Sequence, residues 1–227
     1  MPEFWPLLLV GMGAVALLLW SLASRRPQRG DRKLALERLG FRPCPERRSW
    51  LEDTVTRLEH TEGYRFEIRE PRRLSGEPEV YYYIKGRTQP AYPDSIPVAE
   101  EEFLFSPGRP AAGPVVLTLK PPSVPVGAAS RMMGAIATVP WDSQPDDLQR
   151  LDLPPALEHS SLVGALGPRN TRLEELLDSG ILGVLPALAD AGATFVRFRD
   201  GWCTVSSASS LIPFHPQKVV AAIRPLL

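Results

Sequence analysis

A chain of 227 residues with 26 basic and 26 acidic side chains carries no formal net charge. That balance excludes the extended positive field by which proteins hold nucleic acid, and no nucleic-acid partner is expected. Two distant cysteines, Cys44 and Cys203, exclude a disulfide scaffold, and none of the three histidines (His60, His159, His215) has a second ligand at a usable spacing, so no metal is expected.

Residues 4–23, FWPLLLVGMGAVALLLWSLA, form an apolar run without a single charge. Twenty helical residues at about 1.5 Å each reach roughly 30 Å, the thickness of a bilayer hydrocarbon core. Pro6 falls in the first turn, where its missing N–H costs little. Trp5 and Trp20 lie near the two ends, at the depth amphipathic aromatics favour. The run predicts a transmembrane anchor over residues 1–24. A cleavable signal peptide is the competing reading. It wants a basic leader and a shorter apolar stretch of about 7–15 residues, whereas Met1-Pro2-Glu3 has no Lys or Arg; Ser21-Leu22-Ala23 could serve as its cleavage site. Cleavage would leave the folded domain outside the cytoplasm.

Residues 25–33 form a basic juxtamembrane segment with Arg25, Arg26, Arg29, Arg32 and Lys33, opposed only by Asp31. The positive-inside rule then places the carboxy-terminal bulk in the cytoplasm, on a single-pass protein of the cell membrane. The same five cations either set topology alone or also attract anionic lipid headgroups, at roughly 1 kcal/mol each near the surface. Within the span no small residue recurs four positions on, so a close-packed helix dimer is not expected.

Residues 34–227 read as a soluble α+β domain. Asp31 and Gly40 bracket a short helix over 31–39, and a second helix over 46–60 carries Trp50, Leu51, Val55 and Leu58 on its apolar face. Strand patterns follow at 64–69, 80–85, 101–106 and 115–120, joined by Pro- and Gly-rich connections that suit an antiparallel sheet. A helix is predicted over 126–138, with Met132, Met133 and Ile136 inward. Residues 141–155 read as irregular with one helical turn at 146–151, and the Pro-rich stretch 139–157 is a candidate sub-boundary. Then come a strand at 161–166, a helix capped by Asn170 or Thr171 through Asp178, an interruption at Gly180, and a helix over 181–191 kinked at Pro186 and ended by Gly192. Asp200-Gly201 between alternating segments is a strong hairpin signal, and a helix over 217–226 follows His215-Pro216.

The anchor, Leu39-Gly40-Phe41, and the unit LVGALGPRNTRLEELLDSGILGVLPALADAGATFVRFRDGWCTVSS resemble uncharacterised bacterial single-span membrane-anchored α+β proteins. The resemblance implies the fold and no activity. Four lysines against 22 arginines, one asparagine and 25 prolines suit a thermophile, and GC-rich coding would give the same bias.

Chemistry is sparse. There is no Gly-x-Ser-x-Gly elbow around Ser206, Ser207, Ser209 and Ser210, which read as a solvated loop. Asp142, Asp146, Asp147, Asp152 and Glu158 could supply paired carboxylates but lie in a Pro-rich stretch. No phosphate-cradling glycine pattern occurs, and no cofactor is expected. Tyr81, Tyr82 and Tyr83, with Tyr92, could present an aromatic surface to a protein partner; the competing reading is a strand covered on both faces. The leading expectation is therefore a membrane-anchored accessory acting by protein or lipid contact. The alternative is a hydrolase-type enzyme whose site assembles from the distant acids or the serine patch.

Overall fold

The computed structural model describes residues 27–59, 65–76, 78–88, 98–122, 148–153, 161–207 and 213–227. The predicted span over 1–24 and the predicted helix over 126–138 lie outside them. Among the described residues no helix is long and apolar enough to cross a membrane. The chain divides into two compact units, residues 1–39 and 40–227.

The first unit contributes helix α1 (Pro27–Arg38), which starts four residues earlier than the Asp31 cap suggests. Its last turn closes with Leu39 N–H donating to Ala35 O at 3.1 Å, and Gly40 at φ +92° ends it.

The second unit is α+β. Strand β1 (Phe41–Pro43) and a 3₁₀ turn (Pro45–Arg47) lead into helix α2 (Arg48–Glu59). Strands β2 (Arg65–Leu74), β3 (Val80–Thr88), β4 (Val98–Phe105), β5 (Val115–Leu119), β6 (Leu148–Arg150) and β7 (Leu162–Pro168) follow. Helices α3 (Leu173–Leu176) and α4 (Ser179–Asp190), strands β8 (Phe195–Arg199) and β9 (Trp202–Ser207), helix α5 (Pro216–Ile223) and a 3₁₀ turn (Arg224–Leu226) complete it. Among the described residues nine strands form one sheet, in the order β1-β2-β3-β4-β9-β8-β5-β7-β6. Every neighbouring pair is antiparallel. The β4–β9 pairing joins strands from both sides of residues 139–157 in that sheet.

Strand alternation sends Tyr81, Tyr83 and Lys85 to one face and Tyr82 to the other. On the first face α2 buries Leu51, Thr54, Val55 and Leu58. Their partners are Ile68, Tyr81, Tyr83 and Leu104. Full burial of each such apolar side chain is worth about 1.5–3 kcal/mol. Glu52 Oε1 accepts from Ile68 N–H at 3.2 Å, tying the helix to β2. Trp50, near the start of α2, meets Tyr81 at 5.2 Å and Trp202 at 5.4 Å between ring centroids. On the other face Phe103 receives Phe41, Tyr82 and Phe214 at centroid distances of 5.9, 5.3 and 5.9 Å. Phe214 leads into α5, which packs on α4.

Several expectations change. The turn predicted over 146–151 is instead strand β6, because the free edge of β7 offers Leu148, Gln149 and Arg150 a ladder. Strand β2 runs past Arg69 to Leu74 through a bulge, where Glu70 takes φ +51°. Asp178 does not end a helix; it caps α4, accepting from Ile181 N–H at 2.8 Å. Gly180 therefore lies inside α4, and the preceding helix shrinks to the four residues of α3. The hairpin signal holds: Asp200 and Gly201 take φ +50° and +77°, as a two-residue turn requires.

Candidate functional site

Sheet register brings charge together at the centre of the fold. Lys85 on β3 lies opposite Glu100 on β4, and Tyr83 lies opposite Glu102. Glu102 in turn lies opposite Ser206 on β9, and Arg197 on β8 lies opposite Thr204. All of these side chains leave the sheet on the α2 side. The last residue of α2, Glu59, reaches the same point. A carboxylate at a helix carboxy terminus is unfavourable against the helix dipole. Here cations from the sheet offset that cost.

Lys85 Nζ donates to Glu59 Oε1 at 2.5 Å and to Glu102 Oε1 at 2.7 Å, and lies 3.0 Å from Glu100 Oε2. Arg197 Nη1 lies 3.5 Å from Glu59 Oε1 and 3.6 Å from Glu102 Oε1, and donates to Ser206 Oγ at 3.3 Å. The side chains of Lys85 and Glu102 are both 0% exposed. Three carboxylates thus take up the three protons of one ammonium.

Burial, with the Glu59 and Glu100 carboxylates nearby, raises the Glu102 carboxyl above its ordinary range; Lys85 and Arg197 oppose the rise. Burial also pushes the Tyr83 phenol well up, reinforced by Glu102. Among the described residues Glu102 Oε2, the Tyr83 hydroxyl and the Thr204 hydroxyl are buried, and each stops short of a well-formed hydrogen bond. Both thiols are buried, and burial raises Cys44 to about 11 and Cys203 well above its usual range.

Of the cluster residues, the sequence by itself marks only Tyr83 and Ser206. The available signals were a lysine inside VYYYIK, in a chain with few lysines, and three consecutive glutamates, Glu100 to Glu102, in a strand. Neither is specific without the register.

The predicted residues fare as follows. Tyr81, Tyr82 and Tyr83 are 0%, 1% and 0% exposed, because both sheet faces are covered. Two of their hydroxyls reach acidic side chains: Tyr81 donates to Glu79 Oε1 at 3.1 Å and Tyr82 to Glu101 Oε2 at 3.0 Å. The triplet therefore offers no open aromatic face. Tyr92 lies outside the described residues. Ser206 and Ser207 are the buried end of β9, not a solvated loop, since Ser206 O accepts from Thr194 N–H at 2.9 Å inside the sheet. Ser209 and Ser210 lie outside. Asp152 is exposed just after β6, and Asp142, Asp146, Asp147 and Glu158 lie outside, as do His60, His159, Arg25 and Arg26. Arg32 is half-buried and Lys33 exposed on α1, while the side chain of Arg29 is not described.

An open cleft of about 430 Å³ lies at the β1–β2 edge, lined by Arg42, Cys44, Glu46, Arg73 and Ser75 among others. Its Arg73 is paired to Glu79 at 3.2 Å. Among the described residues no group of three His, Cys, Asp or Glu side chains could hold a metal ion. No family model, curated protein or solved structure matches the chain.

Proposed function

We propose that this chain is a single-pass membrane-anchored accessory protein that presents its α+β domain at the cytoplasmic face and acts by contact rather than catalysis. The observation that carries the reading is the uncharged run over residues 4–23, followed at once by Arg25, Arg26, Arg29, Arg32 and Lys33. The disposition of polar groups in the domain lends support. Its charged cluster is buried, and its lysine is locked between carboxylates. Both are features of a scaffold rather than of a site that must admit substrate. Anionic headgroups are the partners the basic segment favours.

A reporter fused to the carboxy terminus tests the topology. A reporter active only in the cytoplasm is the expected result. Activity only outside the cytoplasm would favour the cleaved or inverted form and end this reading.

A further inference from the structure

Glu102 occupies a position that an ionised carboxylate fits poorly. It is wholly buried at the centre of the sheet. Its Oε1 is served by Lys85 Nζ at 2.7 Å, with Arg197 Nη1 further off at 3.6 Å. Its Oε2 meets no well-formed donor among the described residues. The groups that face it come from every element around it: Glu59 from α2, Tyr83 and Lys85 from β3, Glu100 from β4, Ser206 from β9, and Arg197 from β8. The Lys85 ammonium already divides its three protons among three carboxylates, so it has none left for Oε2. A charged carboxylate oxygen in such a place forfeits its hydration, and only the hydroxyl of Tyr83, short of a well-formed bond, stands to offset the loss.

We infer that Glu102 carries a proton on Oε2 in the folded protein at neutral pH, so that folding takes up a proton and the domain weakens as the pH rises. The neutral acid removes one charge from a crowd of carboxylates. It also turns the orphaned oxygen into a donor toward the Tyr83 hydroxyl, which can accept. Burial pushes the Glu102 carboxyl in the same direction. The sign follows from linkage. A carboxyl held protonated in the fold is also protonated in the unfolded chain below its ordinary value of 4.5. The stabilisation is complete there, and it is lost as the pH climbs through the higher folded value.

The test compares the full-length chain with Glu102→Gln, in detergent, by denaturant unfolding between pH 5.5 and 7.5. Gln keeps the acceptor and the donor of the neutral acid and cannot titrate. The unfolding constant of the unsubstituted chain should rise with pH relative to E102Q, by up to about tenfold per pH unit while Glu102 stays protonated. A ratio that stays flat with pH would overturn the inference. If E102Q fails to fold, infrared spectroscopy of the unsubstituted chain in D₂O decides. A protonated-carboxyl band should persist at pH 7.5 and survive Glu59→Gln and Glu100→Gln. Its absence, or its loss in either of those variants, would place the proton elsewhere or nowhere.

Discussion

Lys85 Nζ and Glu102 Oε1 stand 2.7 Å apart with both side chains shut off from solvent, and Glu59 and Glu100 share the same ammonium. Removing that cation leaves the acidic groups of Glu59, Glu100 and Glu102 converging on an apolar stem, with the charged ones uncompensated. Lys85→Met should destabilise the domain by about 3–5 kcal/mol, the usual cost of breaking a buried ion pair from one side. Chemical denaturation checks it, and a loss under 1 kcal/mol would show that the cluster is looser than its distances indicate.

Gly192 and Gly183 should respond to alanine in opposite directions. Gly192 holds φ +89°, and a Cβ there would collide with the Pro213 carbonyl oxygen, where the chain closes back toward α5. Gly192→Ala should cost at least about 2 kcal/mol. Gly183 lies inside α4 with nothing near its would-be Cβ, so Gly183→Ala should gain about 0.5–1 kcal/mol. Thermal unfolding of the two variants side by side reads both.

Asp178 caps α4 through the Ile181 N–H at 2.8 Å. Asp178→Ala should lower stability by about 1 kcal/mol, and Asp178→Asn by much less, because the amide oxygen still accepts. Equal losses in the two variants would point to charge rather than to the cap.

Legibility followed the range of the interaction. The apolar face of α2, the Asp200-Gly201 turn and the Pro216 start of α5 are decided within a few residues, and the sequence patterns there matched the elements found. Strand β6 is only three residues long and owes its existence to a partner edge, so no local pattern announces it. Asp178 carries two local meanings, the last turn of one helix or the cap of the next, and tertiary packing of α4 chose the second. The charge cluster needed register. Lys85, Glu102 and Arg197 become neighbours only once β3, β4, β9 and β8 are aligned. The same alignment, with helices over both faces, turned three consecutive tyrosines into core.

Both thiols should resist labelling in the folded chain. Cys44 is 4% and Cys203 0% exposed, and with the Cys44 value near 11 its thiolate is scarce at pH 8. A thiol-specific chromophore should therefore react slowly before unfolding and count two sulfhydryls afterwards. Rapid labelling of Cys203 in the native state would expose an opening that the fold does not predict; rapid labelling of Cys44, which lines the β1–β2 cleft, would show its thiolate to be more available than its burial implies.

The anchoring of residues 4–23 is tested most directly by washing membranes from expressing cells with alkaline carbonate and then extracting with detergent. The full-length chain should stay in the pellet through the wash, enter solution only with detergent, and retain its first residues on amino-terminal sequencing. Release by carbonate alone, or a mature terminus near Ser24, would contradict the account.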